Sequence, residues 1–231
     1  MDRDAHSLRE LSSTLREIPG LRGKLGYIWA YYKLWIIGAV CLLCFAGFVV
    51  IRATTAVTEN WIYAVFVNTY AEVGSGSEFR DGYLALTGYD TKEKNVQFDG
   101  TVYFDYAENR GRGNTYYDSF VSFIDAGVLD AATMGRDSLE ALGATGRLLD
   151  LNDARCAAIR EKYGDRLIYA IPLDESYSTE PIPVGIDISD SPLVAKYRIY
   201  EADCGLCIGA NSTHIEAVEQ LLDYLFGEGP G

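Results

Sequence analysis

The chain has 231 residues, of which 48% are hydrophobic, 13% aromatic and 23% charged, a composition suited to a folded core and not to disorder. Lys and Arg number 20 against 33 Asp and Glu, and the formal net charge of −13 argues against non-specific nucleic-acid binding through a basic surface. Five cysteines are too few for a disulfide scaffold.

In chain order, Leu8, Leu11, Leu15 and Ile18 recur at helical spacing and Pro19-Gly20 ends the run, predicting a short helix within a tail of residues 1–33. Leu34 to Ile51 (LWIIGAVCLLCFAGFVVI) is eighteen residues without a charge, bounded by Lys33 and Arg52. At about 1.5 Å per residue such a helix covers about 27 Å, close to the ~30 Å hydrocarbon core. Trp29, Tyr31 and Tyr32 precede it, where amphipathic rings favour the headgroup region. A transmembrane helix over 34–51 is therefore expected, with the lipid bilayer as its partner.

Residues 1–33 carry a net charge of +2 and residues 52–231 a net of −15. Cations flanking a span are retained in the cytoplasm, so a single-pass cell-membrane protein is expected, with a cytoplasmic N-terminus and an extracytoplasmic C-terminal portion. A cleavable signal peptide, cut after Thr54-Thr55-Ala56, is the rival reading. Its n-region would be 33 residues long and its apolar run exceeds the usual h-region of about 7–15 residues, so an uncleaved signal anchor is preferred. Residues 52–60 (RATTAVTEN) read as a linker to a domain over 61–228.

Trp61 to Val67 is a continuous apolar run, as in a strand buried on both faces. Ser77 to Leu86 predicts a helix closed by Gly88, and Val96 to Tyr106 a second strand. Asn114 caps a helix carrying Tyr117, Phe120, Phe123 and Ile124 that stops at Gly127. Val128 to Met134 is a third strand, followed by a helix opened by Asp137 or Ser138 and closed by Gly143 or Gly146. Asn152 or Asp153 opens another helix that ends near Gly164. Leu167 to Ile171, Val184 to Ile188 and Gly205 to Ala210 are further strands. Thr213 and Glu216 have capping-box spacing before the stripe Ile215, Val218, Leu222 and Leu225, which Gly227 ends. Strands alternating with helices predict an α/β fold: a mostly parallel sheet, right-handed crossovers, helices on both faces.

The stretch Ala126 to Leu151 (AGVLDAATMGRDSLEALGATGRLLDL) resembles a segment of bacterial extracellular solute-binding proteins of the type 2 periplasmic-binding fold, in which an "aG-x-x-D" strand precedes a helix and then "G-x-L-x-D-L". Leu167 to Pro172 (LIYAIP) resembles that family's crossover into its second lobe. Leu206 to Leu225 (LCIGANSTHIEAVEQLLDYL) resembles the return strand and helix. Only about thirty-five residues separate crossover from return, where a second lobe needs on the order of a hundred. The resemblance therefore implies a single lobe, or a lobe with a vestige of the other.

Motifs for catalysis are sparse. His6 falls in the tail, leaving His214 as the outer histidine, read as a helix-surface residue; H-E-x-x-H, G-x-S-x-G and the P-loop pattern do not occur. Gly74-Ser75-Gly76-Ser77 is a flexible loop without the lysine of a phosphate cradle. Neither an enzyme nor a cofactor or metal site is expected. Cys204-Gly205-Leu206-Cys207 reads first as buried small side chains, with a disulfide involving Cys156, Cys204 or Cys207, or a redox pair, as alternatives; no helix follows to lower a thiol pKa. Cys41 and Cys44 lie within the apolar span. Asn211-Ser212-Thr213 matches a glycosylation sequon but is read as part of the helix cap.

An open α/β sheet binds ligands beyond the carboxyl ends of its strands. That rule selects Asn68 and Thr69 after the first strand, Asp105 and Tyr106 after the second, and Met134 and Arg136 after the third. The loop Asn109 to Asn114 adds Arg110 and Arg112 at a helix N-terminus; it reads first as an ordinary solvated turn balancing nearby acids, with an anion site as the alternative. The function expected is a membrane-anchored recognition module for a small solute or a partner protein such as a transporter or sensor. A structural or assembly protein without a ligand, and a thiol oxidoreductase using Cys204 and Cys207, are the alternatives.

Overall fold

In a computed structural model, residues 20–55, 59–106 and 113–228 are described. The chain divides into two units, Met1–Ala56 and Val57–Gly231. The first contains α1 (Leu21–Thr55), 35 residues long and, at about 1.5 Å per residue, about 52 Å from end to end. Its stretch Tyr32–Val50 is long and apolar enough to cross a membrane, and none of it is buried in protein. The helix extends beyond that stretch at both ends, over 21–31 and 51–55. No proline interrupts it, and Lys33 and Arg52 are good helix formers, so adding turns costs little once the apolar helix exists. The helix expected over Leu8 to Ile18 lies outside the described residues.

The second unit is built on β1 (Asn60–Phe66), β2 (Asn95–Asp99), β3 (Ala131–Gly135), β4 (Leu167–Ala170), β5 (Ile182–Asp187) and β6 (Cys204–Ile208). The helices are α2 (Glu78–Thr87), α3 (Thr115–Asp125), α4 (Arg136–Gly143), α5 (Ala157–Tyr163), α6 (Pro192–Tyr197) and α7 (Ile215–Phe226). The strands form one sheet in the order β2-β1-β3-β6-β5-β4. The fold is α/β, and the sheet is mixed. β1 pairs in parallel with β2 and β3, where each strand is followed by a helix. β6 runs antiparallel to β3 and β5, and β4 antiparallel to β5. The expected mostly parallel arrangement thus holds in the β2–β1–β3 half. It fails in the other half, where β4 and β5 are joined by a loop with no crossover helix.

Local chemistry explains the ends of several elements. Ser77 caps α2 by accepting from the Arg80 N–H, and Gly88 closes it in the left-handed conformation (φ 69°) that a Cβ would disfavour. β2 is shorter than expected. Past Gly100 its would-be ladder groups turn to Asn68, whose side chain accepts from the Phe104 N–H (3.0 Å) and donates to the Phe104 carbonyl (2.7 Å). α7 starts at Ile215 without a side-chain cap, so the expected Thr213–Glu216 capping box does not form. Its N-cap, His214, is held by buried Asp130 instead, with Nδ1 3.0 Å from the carboxylate. α6 was not expected, although Ser191 as N-cap and Pro192 in the first turn are ordinary helix-start signals.

Alternate residues of β1 enter two apolar clusters. Ile62, Ala64 and Phe66 join Phe79 and Tyr83 of α2 and Val218, Leu221 and Leu222 of α7. Tyr63, Val65 and Val67 join Tyr117, Phe120 and Ile124 of α3 and Leu139 and Leu142 of α4. Burying each large side chain contributes roughly 1.5–3 kcal/mol, and this period-two division fixes the strand's register. Gly205 lets β6 pass tightly through the core: a Cβ there would lie 2.5 Å from Ile168 Cδ1 and 2.7 Å from Leu139 Cδ1.

Candidate functional site

β2 and β3 flank β1 on opposite sides, so the strand order switches at β1 and a crevice is expected beyond the carboxyl ends. Close to the tips of β1 and β3, the chain itself fills that space. Tyr200 Oη donates to either the Val67 carbonyl (2.9 Å) or the Thr133 carbonyl (2.7 Å) and lies 2.9 Å from Thr133 Oγ1. Burial of the phenol pushes its pKa up. Buried Thr69 donates to the Ile199 carbonyl (2.9 Å) and accepts from the Ala71 N–H, while Tyr103 donates to the Thr69 carbonyl (2.7 Å). Asn68, at φ 59°, clamps Phe104 as described.

Asn68 and Thr69 are therefore bonded within the fold. Met134 is 1% exposed and sits among apolar neighbours. Asn114 is the N-cap of α3, accepting from the Tyr116 and Tyr117 N–H groups at 2.9 and 3.2 Å. Arg110 and Arg112 lie outside the described residues.

Asp105, Tyr106 and Arg136 do come together, in a crevice of about 710 Å³ whose wall also includes Asp137, Ser138 and Asp203. β3 and the first turn of α4 place Arg136 and Ser138, and the residues just before β6 place Asp203. Arg136 is engaged by carboxylates, Nε to Glu140 at 2.9 Å and Nη1 to Asp187 at 3.2 Å, which raise its pKa. Among the described residues it is the one cation in the lining. The described lining offers carboxylates and the Ser138 hydroxyl, which can meet hydroxyl or amine groups. Sequence reasoning missed Ser138, Asp203 and Tyr200, because the residues before β6 reach this end only through the antiparallel pairing of β6 with β3.

Cys204 and Cys207 are free, buried and divided between the two clusters. Residues three apart on a strand project to opposite faces, so Cys204 and Cys207 point away from each other. Burial pushes the thiols up, Cys204 to about 11 and Cys207 to about 12, and Cys156 likewise to about 11. His214 lies at the surface at the start of α7, its side chain 40% exposed, with Nδ1 turned to buried Asp130. Ser212 Oγ donates to the same Asp130 oxygen that His214 Nδ1 contacts (2.7 Å), so serine and histidine sit side by side on one carboxylate and not in relay. No group of three or more metal-ligating side chains occurs among the described residues. Comparison with protein-family models, characterised proteins and solved structures found no match to this chain.

Proposed function

We propose that this protein is a recognition module held at the cell membrane by α1, with the Val57–Gly231 unit outside the cytoplasm, akin to one lobe of an extracellular solute-binding protein. The observation that carries the reading is the crevice at the switch point, where Tyr106, Arg136, Ser138 and Asp203 converge. Its volume falls within the range of about 300–1,000 Å³ typical of small-ligand sites. The two apolar clusters support a sheet covered by helices on both faces, a rigid platform for such a site. The charge contrast of +2 against −15 across the span supports the orientation. The solute class is a polyol or an amine, because the lining offers Asp137 and Asp203 carboxylates and the Ser138 hydroxyl while Arg136 is already paired.

A thermal-shift series on the full chain in detergent tests this, with polyols, primary amines and carboxylates as probes. Stabilisation by a polyol or amine that is lost in Ser138→Ala and Asp203→Asn supports the reading. No shift with any class, or a shift retained in both variants, contradicts it. The second reading, a structural module without a ligand, is favoured by one specific feature: Tyr200 seals the tips of β1 and β3.

A further inference from the structure

The opposite end of the sheet carries a larger and chemically different depression. The segment 147–151 lies beside the end of β6 and the start of β5: Leu149 donates to the Ile208 carbonyl (2.8 Å) and Leu151 to the Pro183 carbonyl (2.8 Å). Above it the loop after β4 folds back, Leu173 donating to the Ala144 carbonyl (2.7 Å). Between them is a groove of about 870 Å³ floored by the buried Leu148, Leu149 and Ile182, with Leu173 and Tyr177 as its exposed apolar side chains. Leu173 is 75% exposed at its border, and beyond it lies a second depression of about 640 Å³ that shares Ala144, Thr145, Arg147 and Leu173. Two joined depressions with a leucine between them form a trough shaped for an elongated occupant.

The charge of the rim is one-sided. Arg147 is paired with Asp125 and Asp153 with Arg155. Asp150 and Asp174 have no Lys or Arg within ion-pair distance among the described residues. Tyr177 ties them together, its Oη donating to Asp150 (3.1 Å) and its N–H to the Asp174 carbonyl. Hydrogen bonds from Ser176 hold Asp174 below the usual carboxylate range, so it is ionised at neutral pH.

We propose that this trough binds an extended segment of a partner protein in which Lys or Arg alternates with apolar side chains. The apolar side chains cover the exposed Leu173 and Tyr177, and the cations meet Asp150 and Asp174. The groove shares no lining residue with the crevice at the carboxyl ends, whereas the second depression meets that crevice at Tyr106 and Ala141.

The test uses the full chain in phosphatidylcholine nanodiscs and a fluorescein-labelled peptide of alternating Lys and Leu. Peptides of alternating Glu and Leu and of alternating Lys and Ser serve as comparisons. Asp150→Asn with Asp174→Asn should weaken Lys–Leu binding about tenfold, as should Leu173→Ser. Glu72→Gln with Glu161→Gln, an equal charge change on exposed carboxylates elsewhere, should change it less than about twofold, as should Arg136→Ala in the crevice. Asn keeps the local turn acceptors and residue 173 is exposed, so these variants fold; circular dichroism checks it. The proposal is overturned if Lys–Leu shows no saturable binding, if Lys–Ser binds as tightly, or if the two charge-paired variants behave alike.

Discussion

The same residue types meet opposite surroundings in the two units. In α1, Trp35, Leu42, Leu43 and Phe45 are 65–77% exposed on the protein's own surface, while in the second unit Ile62, Phe66, Leu206 and Leu221 are fully buried. The second unit supplies its own apolar solvent through two side-chain clusters; α1 does not, and its apolar surface calls for a different one. The difference teaches that hydrophobicity alone does not distinguish these segments. What distinguishes them is the length of the uninterrupted apolar run. WIYAVFV, residues 61–67, is as free of charge as the apolar stretch of α1 but only seven residues long, too short to span and short enough for one strand.

The comparison can be broken by making one chemical change in both units. Leu206→Ala in β6 should destabilise the domain by about 2–5 kcal/mol, through lost burial and the cavity left behind, measured by chemical denaturation of the full chain in detergent. Leu43→Ala should leave the same transition unchanged. If the two have equal effects, α1 is not independent of the core.

A charge sharpens the contrast. Leu43→Arg should cost about 3 kcal/mol for membrane insertion and release a measurable share of the chain on carbonate extraction, with the domain's circular dichroism unchanged. A smaller effect is expected at the tips of β1 and β3. Tyr200→Phe removes the donor to the Val67 and Thr133 carbonyls and should cost about 1–3 kcal/mol in denaturation, without altering membrane retention. Unchanged stability would show that the phenol is not the seal described above.

The domain also has an alkaline limit that α1 does not share. Burial, with Asp99 nearby, pushes Tyr63 up to about 12 from 10.0, and Tyr83, Tyr163, Tyr200 and Tyr224 are raised as well. Between those values the unfolded chain has released protons that the folded one retains, so stability is full below pH 10 and falls as pH rises from 10 towards 12. Ultraviolet titration should show these phenols ionising only with unfolding. The smallest effect belongs to Arg136→Ala: its ion pairs are 31–42% exposed, and their loss should cost at most about 1 kcal/mol.

Much of the parallel half was legible in the sequence because its signals are local. Ser77 and Gly88 mark α2, Asn114 marks α3, and the uninterrupted apolar run marks β1. The antiparallel half was less so. The direction of β6 depends on its pairing with β3, about 70 residues earlier, and no local periodicity encodes that. The site followed the same division. The strand-end rule led to Asp105, Tyr106 and Arg136, which do meet, but also to Asn68 and Thr69, whose partners are Phe104 and Ile199, 36 and 130 residues away. Polar residues at a strand tip are visible in a sequence; whether the fold has already bonded them is not.

If one apolar helix holds an acidic recognition domain on the outer side of a membrane, as proposed, the topology of the chain follows. Epitope tags at both ends of the chain, followed through fractionation and external protease treatment of intact cells, test it most directly. Both tags should remain on one membrane-bound chain, protease should remove the C-terminal tag, and the N-terminal tag should be protected. Recovery of the C-terminal tag on a soluble chain trimmed near residue 56, or its protection from protease in intact cells, would contradict it.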